Sequence, residues 1–194
     1  MVPVSPDSLN RETAVVVRAT RDWLEKAVIG LNLCPFAKPV FVRKQIRYMV
    51  SVADSAEALI VDLGNELQSL AAVDPELVET TLIIHPRVLT DFLHYNDFLA
   101  VADRVVAELG LTGVIQVASF HPDYRFAGTA RDDVTNHTNR SPYPMLNLLR
   151  EASVSAAVAT FAEADRISER NMETMRRLGV DGLTTLNLIP PARR

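Results

Sequence analysis

A chain of 194 residues, 48% of them hydrophobic, is long enough for one domain around a single core. Its net charge of −4 and pI near 5.6 provide no general basic surface, which argues against nucleic acid as the main partner. Cys34 is the lone cysteine, so an intramolecular disulfide is impossible, and no uncharged apolar run approaches the ~20 residues that span a bilayer.

Taken in chain order, residues 1–7 carry two prolines and read as an irregular arm. Asp7 or Ser8 can cap a first helix over roughly 8–31, with Val16, Ala19, Trp23, Ala27 and Leu31 as its buried stripe. Two prolines in 32–39 end it. The β-branched and aromatic residues near 45–53 predict a strand. Asp54 and Glu57 form a D-x-x-E capping box for a second helix, 55–72, with Leu59, Leu63, Leu67 and Leu70 on one face. Glu79 to Ile84 reads as the second strand. Thr90 caps a third helix over 91–109, and Gly110 stops it. Gly113 to Phe120 reads as the third strand.

Residues 121–143 have neither helical nor strand periodicity, and structureless loops of this length are often functional. Gly128 is expected to supply a turn with positive φ. Ser141-Pro142 reads as N-cap and N1 of a fourth helix, with Pro144 in its first turn. Ile167, Ser168 and Met172 resemble a hydrophobic staple around a cap, opening a fifth helix that Gly179 closes. The tail, 180–194, is apolar at Leu183, Leu186, Leu188 and Ile189, enough to pack on the body or on a partner copy. The alternation of helices and strands predicts one α/β domain over 1–194. Its sheet would be mainly parallel, with three or four strands covered by about five helices.

Two apolar runs end in His-Pro, T-L-I-I-H-P at 81–86 and S-F-H-P at 119–122. Proline stops a strand and restricts the residue before it. If the two strands run parallel, His85 and His121 lie at one edge, where ligands bind in such sheets. Strand ends often carry a histidine that is only hydrogen-bonded to a loop, so the pairing matters more than either residue.

Three chemistries compete for this edge. His85, His121 and Asp123 can supply two imidazoles and a carboxylate to a divalent metal such as zinc, with Asp132, Asp133 and His137 as alternatives, although no spacing defines such a site. Cys34 can act as a nucleophile beside His85, His121 or Arg140. Against this, it sits at a helix C-terminus, the wrong pole for a thiolate, in the apolar run N-L-C-P-F. That helix would also place it at the opposite edge, unless residues 32–44 cross over. The third chemistry is anion recognition by Asn136, His137, Asn139, Arg140 and Ser141 at the start of the fourth helix. Simple capping by Ser141, with Arg140 paired to Asp132, Asp133 or Glu151, explains the same residues.

N-L-C-P-F-A at 32–37, S-F-H-P-D-Y-R-F-A-G at 119–128 and T-N-R-S-P-Y-P at 138–144 resemble the bacterial family known as domain of unknown function 1415. The likeness runs from about Trp23 to Gly179. It implies a small cytoplasmic bacterial protein and carries no reaction or ligand with it. The start has neither a basic n-region nor an apolar h-region, so no secretory signal is expected, and the lone cysteine fits a reducing cytoplasm.

The reading from residues alone is an enzyme acting on a small acidic or phosphorylated metabolite, with hydrolysis as the expected reaction. His121 is its general acid/base, His85 stands beside it, Asp123 orients an imidazole or binds metal, and Arg140 holds the anion. The alternative is a non-catalytic ligand-binding or assembly protein, with the tail joining a homo-oligomer. A small anion is the expected partner, with no nucleic acid and no membrane.

Overall fold

The computed structural model describes residues 6–160 and 164–189. Helix α1 (Pro6–Trp23) runs without a break into a π-helical turn, Leu24–Ile29. Such turns widen a helix locally, and this one buries Leu24, Ala27 and Val28. A Cβ at Gly30 would fall on the Lys26 carbonyl oxygen, so glycine is what closes the turn. There follow α2 (Ala37–Val42), β1 (Ile46–Val50), α3 (Ala56–Ala72), β2 (Thr80–Ile84), α4 (Phe92–Glu108) and β3 (Ile115–Phe120). After a long segment holding one 3-10 turn (Val134–Thr138) come β4 (Met145–Arg150), α5 (Glu151–Thr160) and α6 (Ile167–Thr185).

The α/β class stands, but the sheet is mixed. Its order is β1-β2-β4-β3, with β1 and β2 parallel and β4 antiparallel to both of its neighbours. The predicted fourth helix at Ser141-Pro142 is replaced by β4. Met, Leu and Arg favour helix locally, yet the gap between β2 and β3 needs a strand to satisfy their backbone groups, and Leu146 and Leu148 alternate with Asn147 and Leu149 as a strand requires.

Two helix caps sit one residue later than expected, and the cap expected at Ser168 is not made, because α6 already begins at Ile167 with no side-chain cap. Ser55, not Asp54, accepts from the Ala58 N–H, and Asp91, not Thr90, accepts from Leu93 and His94. Of the predicted arm, residues 1–5 lie outside the described residues, and Pro6 and Asp7 are already helical. The cap expected at Asp7 or Ser8 falls on side chains outside the description.

One face of the sheet packs on α3 and α4. Leu59, Leu63, Leu67 and Leu70 of α3 meet Ile83, Leu146 and Leu148 of the strands and Tyr95, Phe98, Ala102 and Val106 of α4. The other face packs on α1, where Val16 and Trp23 meet Leu82, Ile84, Met145 and Phe120. Truncating any of these fully buried leucines to alanine costs about 2–5 kcal/mol. A third, smaller cluster joins Leu33 to Met175 and Leu183 of α6, with Val134, Leu188 and Ile189 around it. The apolar tail therefore packs on its own body through residue 189; residues 190–194 lie outside the described residues. No helix of the described residues is long and apolar enough to cross a membrane.

Candidate functional site

Strands β2 and β3 are both antiparallel to β4, so they point the same way, and Ile84 and Phe120 are both in register with Met145. The next residue of each strand is a histidine, so His85 and His121 do end level at one edge. Both alternate onto the α4 face, where the Tyr95 ring lies between them, 5.8 Å from His85 and 5.0 Å from His121 by ring centroids. The Tyr95 hydroxyl donates to the Met145 carbonyl (2.8 Å) and accepts from the Phe120 N–H (3.0 Å). It thus fills a rung of the ladder between β3 and β4. Burial raises its pKa, and the phenol stays protonated.

The two imidazoles are enclosed. His85 has no exposed surface; its Nδ1–H donates to the Val88 carbonyl (2.9 Å), and its buried Nε2 has no hydrogen-bond partner. Burial, reinforced by His121, lowers its pKa to about 4, so the ring is neutral at neutral pH. His121 Nδ1 accepts from the Asp123 N–H (3.0 Å), which leaves Nε2–H to donate to the Leu89 carbonyl (3.2 Å). Burial lowers its pKa too, against opposing hydrogen bonds and the charges of Asp123 and Asp91. The Asp123 carboxylate is half-exposed and faces Arg131 at 3.3 Å. Among the described residues, no three His, Cys, Asp or Glu side chains are gathered where an ion could be held. His85, His121 and Asp123 are neighbours at this edge without being arranged as ligands.

The polar loop is tied mostly to itself. Asn136 is fully buried; its Oδ1 accepts from Phe126 N–H (3.0 Å) and the Thr129 hydroxyl (2.8 Å), and its Nδ2 donates to the Ala130 carbonyl (2.8 Å). Asn139 holds the outer edge of β3, donating from Nδ2 to the Ser119 carbonyl and accepting from the His121 N–H. The Arg140 guanidinium donates to the carbonyls of Tyr124 (3.2 Å) and Arg131 (2.6 Å) and to His137 Nε2 (3.0 Å). Burial and the adjacent Arg140 lower the His137 pKa to about 4, which keeps that acceptor nitrogen free of a proton. Asp133 caps the 3-10 turn through Thr135, and Asp132 is exposed. Ser141 donates to the Tyr143 carbonyl and leads into β4. The expected anion site at the start of a fourth helix is therefore not formed: no helix starts there, and the Arg140 donors are turned onto the loop.

Cys34 lies on the side of the loop and α6 rather than at the opposite edge. Trp23, at the end of α1, packs on Phe120 and donates to the Arg140 carbonyl, and Leu33 packs with Met175. The Cys34 sulfur accepts from the backbone of Phe36 and Ala37, but burial outweighs this and raises the thiol pKa. That is the environment of an unactivated thiol.

An open groove of about 550 Å³ runs between the start of α4 and residues 125–130. Phe92, Leu93 and Asn96 form one wall, and Arg125, Phe126, Ala127, Gly128, Thr129 and Ala130 the other. Gly128 takes the expected positive φ, at 78°. Behind the groove, the Phe92 ring touches those of His121 (5.5 Å) and Tyr124 (5.3 Å), and Tyr124 meets Phe126 (5.0 Å). The groove thus opens directly in front of the histidine edge.

A family model described as "Protein of unknown function (DUF1415)" matches residues 15–185. The chain belongs to this family. No curated protein and no solved structure matches it. In this DUF1415 protein the matched span takes in both histidines, Cys34, the whole loop and both walls of the groove. Sequence reasoning missed Tyr95 and the groove residues on α4. Tyr95 shares a helical stripe with Phe98 and Ala102, which marks it as core, but nothing local tells that its ring separates two histidines from other elements. Phe92, Leu93 and Asn96 gave no signal, because a groove wall on a helix reads as ordinary exposed surface until the facing loop is in place.

Proposed function

We propose that this protein binds a small molecule with an apolar body and a single negative charge in the groove between α4 and residues 125–130. The observation that carries the reading is the lining itself. Leu93 stands 59% exposed in a concave surface, with Phe92 and Phe126 beside it. Pockets of this size that set apolar side chains beside polar groups are the usual form of small-ligand sites, and this lining combines the two in about equal measure. Arg125 is the one charged residue of the lining, which suits a monoanion such as a carboxylate, held by a charge-assisted pair. Asn96 adds a polar contact that orients it.

Binding is favoured over turnover because both ring nitrogens of His121 are engaged with backbone groups and His85 is sealed. A second reading keeps the enzyme: hydrolysis of a small acidic or phosphorylated metabolite with His121 as proton carrier. One observation favours it, that Phe92 both walls the groove and touches His121. It requires His121 Nε2 to leave the Leu89 carbonyl when substrate binds.

Titration with anilinonaphthalene sulfonate, followed by a panel of aliphatic and aromatic carboxylates and phosphomonoesters, separates these readings. Saturable binding is expected, weakened roughly tenfold or more in Arg125→Ala through loss of a charged hydrogen bond, and abolished in Leu93→Asp. Binding that neither variant alters overturns the groove as the site. Hydrolysis of any panel member, lost in His121→Ala while the fold persists, would favour the enzyme.

A further inference from the structure

Between Glu25 and Asp54 the chain has no acidic residue, yet it carries Lys26, Lys38, Arg43, Lys44 and Arg47. Against a net charge of −4 for the whole chain, this stretch holds +5 and the remainder −9. At its centre is α2, A-K-P-V-F-V, an apolar helix with no buried residue. Val42 is 67% exposed, among the most exposed large hydrophobic residues of the described chain. Arg21 of α1 leans onto the same surface, its guanidinium over the Phe41 ring (5.7 Å) and the Tyr48 ring (5.8 Å). Arg47 is neutralised by Glu66 at 2.9 Å, but among the described residues Arg21, Lys38, Arg43 and Lys44 form no ion pair.

We infer that α2 and its surrounding cations form a peripheral contact for an anionic lipid surface. The chemistry of such a surface matches the patch twice over. Negatively charged headgroups attract Arg21, Lys38, Arg43 and Lys44, and the headgroup boundary accepts short apolar side chains such as Val42 that water penalises. A polynucleotide matches it once only. It would satisfy the cations, but the aromatic faces that bases could stack on are already covered by Arg21, and the exposed valine finds nothing to pair with. The contact is reversible and electrostatic, and it is separate from the groove; no helix of the described residues is long and apolar enough to cross a membrane.

The test is cosedimentation of the full chain with phosphatidylcholine vesicles and with vesicles in which a third of the lipid is phosphatidylglycerol. Binding is expected to the anionic vesicles alone, at low salt, with release at high salt. Each cation removed should weaken it about fivefold, so Lys38→Ala with Lys44→Ala lowers it at least an order of magnitude. Val42→Asp, at a site two-thirds open to solvent, should abolish binding without moving the thermal midpoint. No binding to either vesicle, equal binding to both, or indifference to Val42→Asp overturns the inference. So does a preference, in competition, for a single-stranded oligonucleotide over the anionic vesicles.

Discussion

His85 and His137 are held neutral for different reasons, and both make the fold sensitive to acid. His85 is sealed from water, with its Nε2 left unpartnered; His137 must offer Nε2 to Arg140. In each case the folded pKa lies near 4, below the ordinary 6.5. The unfolded chain therefore takes up protons that the folded chain refuses. Stability from these groups is complete above pH 6.5 and declines as pH falls towards 4. For the sealed His85 the loss is on the order of 3 kcal/mol. Asp91 and Asp133 have pKa values lowered below 3.8, so their contribution persists through this window and fades only in stronger acid. Urea midpoints recorded stepwise from neutral pH to about 4 should fall steadily, and His137→Asn should flatten part of the slope; a level profile would show that neither ring titrates as described. The two His-Pro pairs were the most legible residues in the chain, since proline ends a strand whatever surrounds it. That their imidazoles flank one tyrosine was not legible, because Tyr95 reaches them from another element.

At the scale of elements, α6 shows how a residue rule and a tertiary demand combine. Gly179 ends one helical run as expected, but the chain resumes helically, and its φ of 61° and ψ of −175° mark a kink that redirects the second run. The redirected run buries Leu183 against Leu33 and Met175. That backbone region is essentially closed to residues with a Cβ. Gly179→Ala is expected to destabilise the protein by about 1–3 kcal/mol, read as a lower urea midpoint at neutral pH, and an unchanged midpoint would mean the kink can relax. Gly110 behaves more simply, with φ of 70° just past α4, where a helix C-terminus wants it. The strand β4 shows the opposite outcome. Its residues favour a helix and follow two prolines that suit a helix start, yet they are the central strand that β2 and β3 both need.

For the molecule as a whole, the tail belongs to the fold. Leu183 is 1% exposed and Leu188 and Ile189 pack around it, so a chain ending at Gly179 loses the cover of Leu33 and Met175. Such a truncation should lower the thermal midpoint markedly and expose apolar surface to aggregation. If it stayed soluble with an unchanged midpoint, α6 would be an accessory rather than a wall of the core.

Local rules reached far along this chain. Helical stripes placed α1, α3 and α4, short apolar runs placed β1, β2 and β3, and the family resemblance rested on three contiguous motifs. These are properties of neighbours in sequence, where periodicity and the conformational limits of proline and glycine act directly. The tertiary structure alone decided that β4 enters the sheet, making it mixed, that Arg140 spends its donors on loop carbonyls, and that an open groove faces α4. Each of these depends on which partner a backbone group or side chain finds across space, and a buried polar group takes whatever partner the packed fold brings within reach.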